Sequence, residues 1–147
     1  MRRKIEILPI KPHSALLRPL AVEARRDGYR FVDRLIEEAL DGRNSFTGEG
    51  ECFLGIFEDG ELVGCGGVNK DPYVIQHVGR LRHVYVLSSA RRKGLATELV
   101  RELLRRCEHS FSVFRLRTSD KNADAFYERF GFERSNDEDA SHFLATR

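Results

Sequence analysis

The run Arg91-Arg92-Lys93-Gly94-Leu95-Ala96 is the part of this chain best equipped to bind an anion. It follows an apolar, strand-like stretch, Leu81 to Leu87, and opens a strongly amphipathic helix near Gly94. A helix start presents unpaired N–H groups and a partial positive charge, and both favour phosphate. Gly94 lets the backbone come close to a ligand, and Ala96 keeps the first turn narrow. The side chains of Arg91, Arg92 and Lys93 add charge-assisted contacts at the rim. The chemistry implied is a pyrophosphate cradle. The spacing is neither G-x-x-x-x-G-K-[ST] nor G-x-G-x-x-G, so neither nucleotide fingerprint applies. One strand further on comes a second segment with polar and aromatic side chains, Asn122-Ala123-Asp124-Ala125-Phe126-Tyr127-Glu128-Arg129-Phe130-Gly131-Phe132.

The elements that must position these residues can be traced along the chain. Lys4 to Leu8 alternates as a first strand. A helical region from Pro19 to Leu40 breaks near Asp27-Gly28, with Pro19 suited to a first turn and Gly28 to a helix end. Asn44 to Gly50 reads as a polar loop. Cys52 to Phe57 and Leu62 to Val68 are strands joined at Asp59-Gly60, a short-hairpin signal. Within the second, Gly64-Cys65-Gly66-Gly67 predicts a bulge or a close packing contact. Asp71 to Gly79 is a connection, and Leu81 to Leu87 is apolar enough for a central strand. The helix after the cradle carries Leu95, Leu99, Leu103 and Leu104 on one face. Phe111 to Arg117 is a strand, and Asp120 to Phe130 a helix stopped by Gly131. Phe132 to Arg134 and Ser141 to Ala145 pair around an acidic loop, Asn136 to Asp139.

Composition narrows the class. A chain of 147 residues fits one domain, and its 41% hydrophobic content is ordinary for a globular protein. No apolar run reaches membrane length. The basic start Arg2-Arg3-Lys4 is not read as a signal peptide, because Glu6, Pro9 and Lys11 interrupt the apolar region that would have to follow. The net charge of +2, with acids and bases interspersed, gives no field for nucleic acid. Three cysteines, Cys52, Cys65 and Cys107, read as reduced thiols of a cytoplasmic protein. The five histidines are scattered without ligand spacing, so no metal is expected.

Taken in order, a strand ending Val84-Tyr85-Val86, the R-x-x-G-x-A loop with its helix, and the segment Asn122 to Phe132 resemble the GNAT superfamily of N-acetyltransferases. The hairpin of Cys52 to Val68 extends the likeness upstream. The resemblance implies an α/β (α+β) domain: a mixed, mostly antiparallel sheet flanked by helices, with a V-shaped splay between the central strands. It implies acetyl-CoA as donor, its pantetheine paired with backbone near Tyr85, Val86 and Leu87. Arg91 and the N–H groups of Arg92, Lys93, Gly94, Leu95, Ala96 and Thr97 would hold the pyrophosphate, and Asn122 the pantetheine arm. Tyr127 takes the position of a general acid that protonates the departing thiolate, leaving Phe126 for the core. A backbone N–H near Val86 would stabilise the oxyanion.

Some family enzymes carry a Glu or His base on the central strand. Here Arg80 and Arg82 stand in that region and cannot serve, and His83 is the nearest substitute, its face set by strand alternation. His77, Glu51 and His142 are weaker candidates. Acceptor recognition would fall to Tyr29, Arg30, Asp33 and Glu37, then to Asp71, Pro72 and Tyr73, with the acids attracting a cationic amine. The expected activity is acetyl transfer from acetyl-CoA to a primary amine of a small molecule rather than of a protein, with a CoA-binding sensor as the rival and a homodimer compatible with either.

Overall fold

Asp59 (φ +51°) and Gly60 (φ +85°) turn the chain between β2 (Cys52–Glu58) and β3 (Glu61–Lys70), as the hairpin signal predicts. In this computed structural model, which describes residues 3–146, that hairpin is the centre from which the sheet grows in both directions. Arg2, where the basic start begins, lies outside the described residues. β1 (Ile5–Pro9) lies antiparallel to β2, and β4 (Val78–Val86) antiparallel to β3. Beyond β4 come β5 (Val113–Leu116), β6 (Glu133–Arg134) and β7 (His142–Ala145), in the sheet order β1-β2-β3-β4-β5-β7-β6. Among the described residues only β4 and β5 run parallel. The mixed, mostly antiparallel sheet is the one the sequence implied.

Helices cover both faces. α1 (Arg18–Arg26) starts with proline in its first turn, and Gly28 at φ +89° separates it from α2 (Phe31–Leu40). Leu20, Ala24, Val32 and Leu35 pack with Phe46, Phe53, Cys65 and Tyr85 on one face. α3 (Leu95–Cys107) and α4 (Lys121–Phe130) cover the other, where Leu99, Leu103, Phe111, Phe114, Tyr127 and Phe132 meet Leu54, Val68 and Leu81. Each large aliphatic side chain so buried is worth about 1.5–3 kcal/mol. The glycine run of β3 admits this packing from both sides. A Cβ on Gly66 would stand 3.1 Å from Leu103, and one on Gly67 only 2.6 Å from Phe46.

Two differences from the sequence expectation matter for function. β4 begins at Val78 rather than Leu81, because Arg80 is not a loop residue: it is buried and paired with Asp71. The bulge predicted from the glycines is present, but its extra residue belongs to β4. Cys65 pairs with Tyr85 and Gly67 with Arg82, so His83 and Val84 together oppose Gly66, with His83 at φ +61°. Among the described residues no helix is long and apolar enough to cross a membrane.

Candidate functional site

β4 and β5 are paired only at Val78↔Val113, Gly79↔Phe114 and Arg80↔Arg115. From Leu81 onward the β4 edge has no partner strand, so a gap opens between the central strands. The register shows which backbone groups face it. Leu87 N–H donates to Val63 O at 2.8 Å, and residues alternate along an antiparallel pair, so the N–H and C=O of Val86 point away from β3 into the gap. The Val86 carbonyl accepts from Arg91 Nε at 2.8 Å, and its N–H has no partner among the described residues. Tyr85 is turned toward β3, and Leu87 spends its N–H on Val63 and its carbonyl on the Ala90 N–H. Of Tyr85, Val86 and Leu87, the three residues expected near pantetheine, Val86 alone directs its backbone groups into the gap.

At the open end of the gap stands the cradle. A short turn, Ser88–Ala90, carries the chain to Gly94, which caps α3 at φ +78° with no side-chain hydrogen bond to the helix start. The Arg91 N–H is spent on Ser88 O at 3.3 Å. The first N–H after it to find a protein partner is that of Glu98, which donates to Gly94 O at 3.1 Å. Between them, Arg92, Lys93, Gly94, Leu95, Ala96 and Thr97 keep their N–H groups free among the described residues. A Cβ on Gly94 would meet nothing within 4 Å. Free donors, open space and the positive end of a 13-residue helix fit a diphosphate. The basic side chains are less available than their charges suggest. Lys93 Nζ lies 3.2 Å from Glu58, and the Arg91 guanidinium lies over the Tyr85 ring, 5.4 Å from its centroid.

The sequence held no sign of the residue that organises this corner. Glu23 of α1 accepts the Tyr85 hydroxyl at 2.5 Å, the Ser88 N–H at 3.0 Å and the Ser88 hydroxyl at 2.9 Å. Burial would raise its pKa, but these donors and the Arg91 charge outweigh burial and hold it below the usual carboxylate value. Burial first, then Glu23, pushes the Tyr85 phenol well up. Glu23 therefore anchors α1 to the end of β4 as a fixed anion. Its partners lie some sixty residues away, which no local pattern reveals.

Tyr127 is only 8% exposed, packed against Phe126, Phe132 and His142, and its hydroxyl has no hydrogen-bond partner among the described residues. Burial pushes its phenol well above the ordinary value. The expected division of labour with Phe126 is inverted: Phe126 is half-buried at the cluster's edge and Tyr127 is the core residue. Asn122 sits exposed in the first turn of α4, its N–H capped by Asp120 Oδ1 at 2.9 Å. His83, turned by the bulge to the α1/α2 face, lies between Phe31 (6.3 Å) and Phe46 (6.2 Å). Both of its ring nitrogens are buried without a partner. Burial, then the charges of Arg82 and Arg34, lowers its pKa to about 3.

The acceptor residues separate. Tyr29 donates to Asp120 Oδ2 at 3.2 Å, joining the α1–α2 turn to the start of α4. Asp33 is held by Arg25 through bonds of 2.9 and 2.7 Å. Asp71 is fully buried, 3.2 Å from Arg80 and 3.6 Å from Arg115, so it faces the interior rather than an acceptor. Tyr73 is exposed, with the Arg80 guanidinium 5.0 Å from its ring centroid.

The sequence matches the acetyltransferase (GNAT) family profile over residues 14–132. The fold superposes on the crystal structure of a protein from Exiguobacterium sp. 255-15 assigned as an acetyltransferase, with a TM-score of 0.83 and 27% identity, over 99% of this chain and 94% of that one. A GNAT-family acetyltransferase from Staphylococcus aureus Mu50 gives a TM-score of 0.76 at 15% identity, over 98% and 100% of the two chains. The PaiA N-acetyltransferase from Thermoplasma acidophilum, solved with coenzyme A, gives 0.61 at 17% identity, over 95% and 96%. The last two likenesses speak for the fold alone. No protein of curated function matches the sequence.

Proposed function

The chain belongs to the GNAT family of acetyltransferases, and from that premise we propose that it moves the acetyl group of acetyl-CoA to a primary amine of a small molecule, by direct attack in a ternary complex. The carrying observation is the continuous set of free N–H groups from Arg92 to Thr97, placed beside a strand edge whose Val86 N–H is also free. A diphosphate on the first and a thioester beside the second is the arrangement that transfer from CoA requires. The coenzyme A complex of the Thermoplasma relative supports the donor. The reading places the protein in the cytoplasm, where acetyl-CoA and reduced thiols coexist.

Acetyl-CoA supplies an acetyl group activated as a thioester. The Val86 N–H is the donor for the charge that develops on the thioester oxygen as nitrogen attacks. Tyr127 hydrogen-bonds to the departing sulfur. Its phenol is held above 10 whereas a thiol ionises near 8.5, so full proton transfer from Tyr127 is uphill; the proton that completes the thiol comes from the attacking nitrogen. His83 is a poor base for an ammonium: a pKa of about 3 against roughly 10.4 is a deficit of about 10 kcal/mol. A CoA-binding sensor without turnover is the second reading, and the weak basicity of His83 is the observation in its favour.

Thiol release from acetyl-CoA against a pooled panel of amines, amino acids, polyamines and aminoglycosides decides between them. Amine-dependent release is expected. Silence across the panel, with acetyl-CoA bound, would overturn the transferase and leave the sensor.

A further inference from the structure

On the α1/α2 face of β4, two cations and an imidazole are left without counterparts. Arg82 is half-buried, and its single hydrogen bond, to Asn69 Oδ1, is long at 3.5 Å. That oxygen already accepts from Asn44 Nδ2 at 2.8 Å. Arg80 and Arg115, also interior, share the carboxylate of Asp71, whereas Arg82 forms no ion pair among the described residues. Burial works against its charge; Glu38 of α2 offsets part of this without ion-pair contact, and Arg80 and Arg34 add to it. Arg34 is likewise unpaired among the described residues. Of the carboxylates on its helix face, Asp33 is taken by Arg25, and Glu37 makes no ion pair. His83 adjoins them with both nitrogens unsatisfied.

The space is there as well. A cleft of about 480 Å³ is walled by Arg82 together with Glu38, Asn44, Phe46 and Asn69. The other acid in that cleft, Glu51, is occupied by the N–H groups of Gly48 and Lys70. Arg34 lines a second groove of about 330 Å³ along α2. An unpaired guanidinium partly withdrawn from water, as that of Arg82 is, is costly, and a bound anion removes the cost with charge-assisted hydrogen bonds.

We propose that the acceptor amine carries an anionic group, carboxylate or phosphate, which Arg82 and Arg34 bind beside His83. This names the acceptor class and rests on the transferase reading. It differs from the expectation that acids attract a cationic amine, because Asp33 and Asp71 are paired within the protein while Arg82 and Arg34 are not.

The test pairs each anionic amine with its neutral counterpart: α-amino acids with their methyl esters, and aminoalkyl phosphates with the amino alcohols. A preference of at least ten-fold in kcat/KM for the anionic member is expected, and the two series tell carboxylate from phosphate. Arg82→Gln should raise KM for the anionic acceptor at least ten-fold with a smaller change in kcat. Arg34→Gln, on an exposed helix position, repeats the measurement should Arg82→Gln fold poorly. Equal use of both members, or unchanged KM in both variants, overturns the proposal. Calorimetry of acetate and inorganic phosphate with the CoA complex needs no turnover. Binding weakened in the variants supports the anion site even if no amine is acetylated, an outcome that sinks only the transferase reading.

Discussion

His83 is neutral at physiological pH because its ring is walled by Phe31 and Phe46 and faces Arg82 and Arg34. Its folded pKa of about 3 lies below the unfolded value near 6.5, so the unfolded chain takes up a proton first as pH falls. Stability is therefore full above about pH 6.5 and falls by roughly 1.4 kcal/mol per pH unit between there and about 3. His83→Phe should flatten the acid limb of the stability curve over that window in chemical denaturation; a variant as acid-labile as the parent would assign the loss to another group. Tyr127 offers a separate test, since Tyr127→Phe keeps the packing against Phe132 and removes only the hydroxyl. Turnover should drop roughly ten- to thousand-fold with the affinity for CoA nearly unchanged. Full activity in that variant would remove the phenol from the mechanism.

The element that makes the site is α3, and its function resides in what its first turn leaves unmade. Gly94 caps it in the left-handed region with open space around the Cα, so Gly94→Ala should cost about 1–2 kcal/mol of stability and leave CoA binding within a few-fold. Gly94→Glu places a carboxylate among the free N–H donors of the helix start, and isothermal titration should show CoA binding abolished; retained affinity would put the phosphates elsewhere. This much was legible in the sequence, because a helix start, its glycine and its basic rim are contiguous. The hairpin and the order of strands and helices were legible for the same reason. What escaped was set by partners distant in sequence. Asp71 and Asp33 read as free acids until Arg80, Arg115 and Arg25 are seen against them. Glu23 reads as one more helix charge until Tyr85 and Ser88 arrive. The face of His83 could not be read at all, since the extra residue of the bulge sits in β4 while its glycine signal sits in β3.

For the whole molecule, the decisive feature is that one sheet is both joined and parted between β4 and β5. The last paired residues before the gap are Arg80 and Arg115, and both guanidiniums converge on the same oxygen of Asp71. Asp71 Oδ1 also accepts the Tyr73 N–H at 2.9 Å, and Arg80 reaches Asp139 O at 2.7 Å, so the vertex is tied to the β3–β4 connection and to the acidic loop before β7. Two like charges on neighbouring strands would push the sheet open at the vertex were the carboxylate absent. Asp71→Asn keeps the shape and removes the charge, leaving two buried guanidiniums facing one another. A loss of roughly 3–5 kcal/mol is expected in equilibrium unfolding. Because the vertex fixes the angle at which Val86 meets the cradle, CoA affinity should fall too, though no atom of Asp71 lies in the gap. Unfolding stability and CoA affinity both at parental levels would mean that the strands are held at their pairing by the apolar layers alone, and that the splay needs no electrostatic clasp.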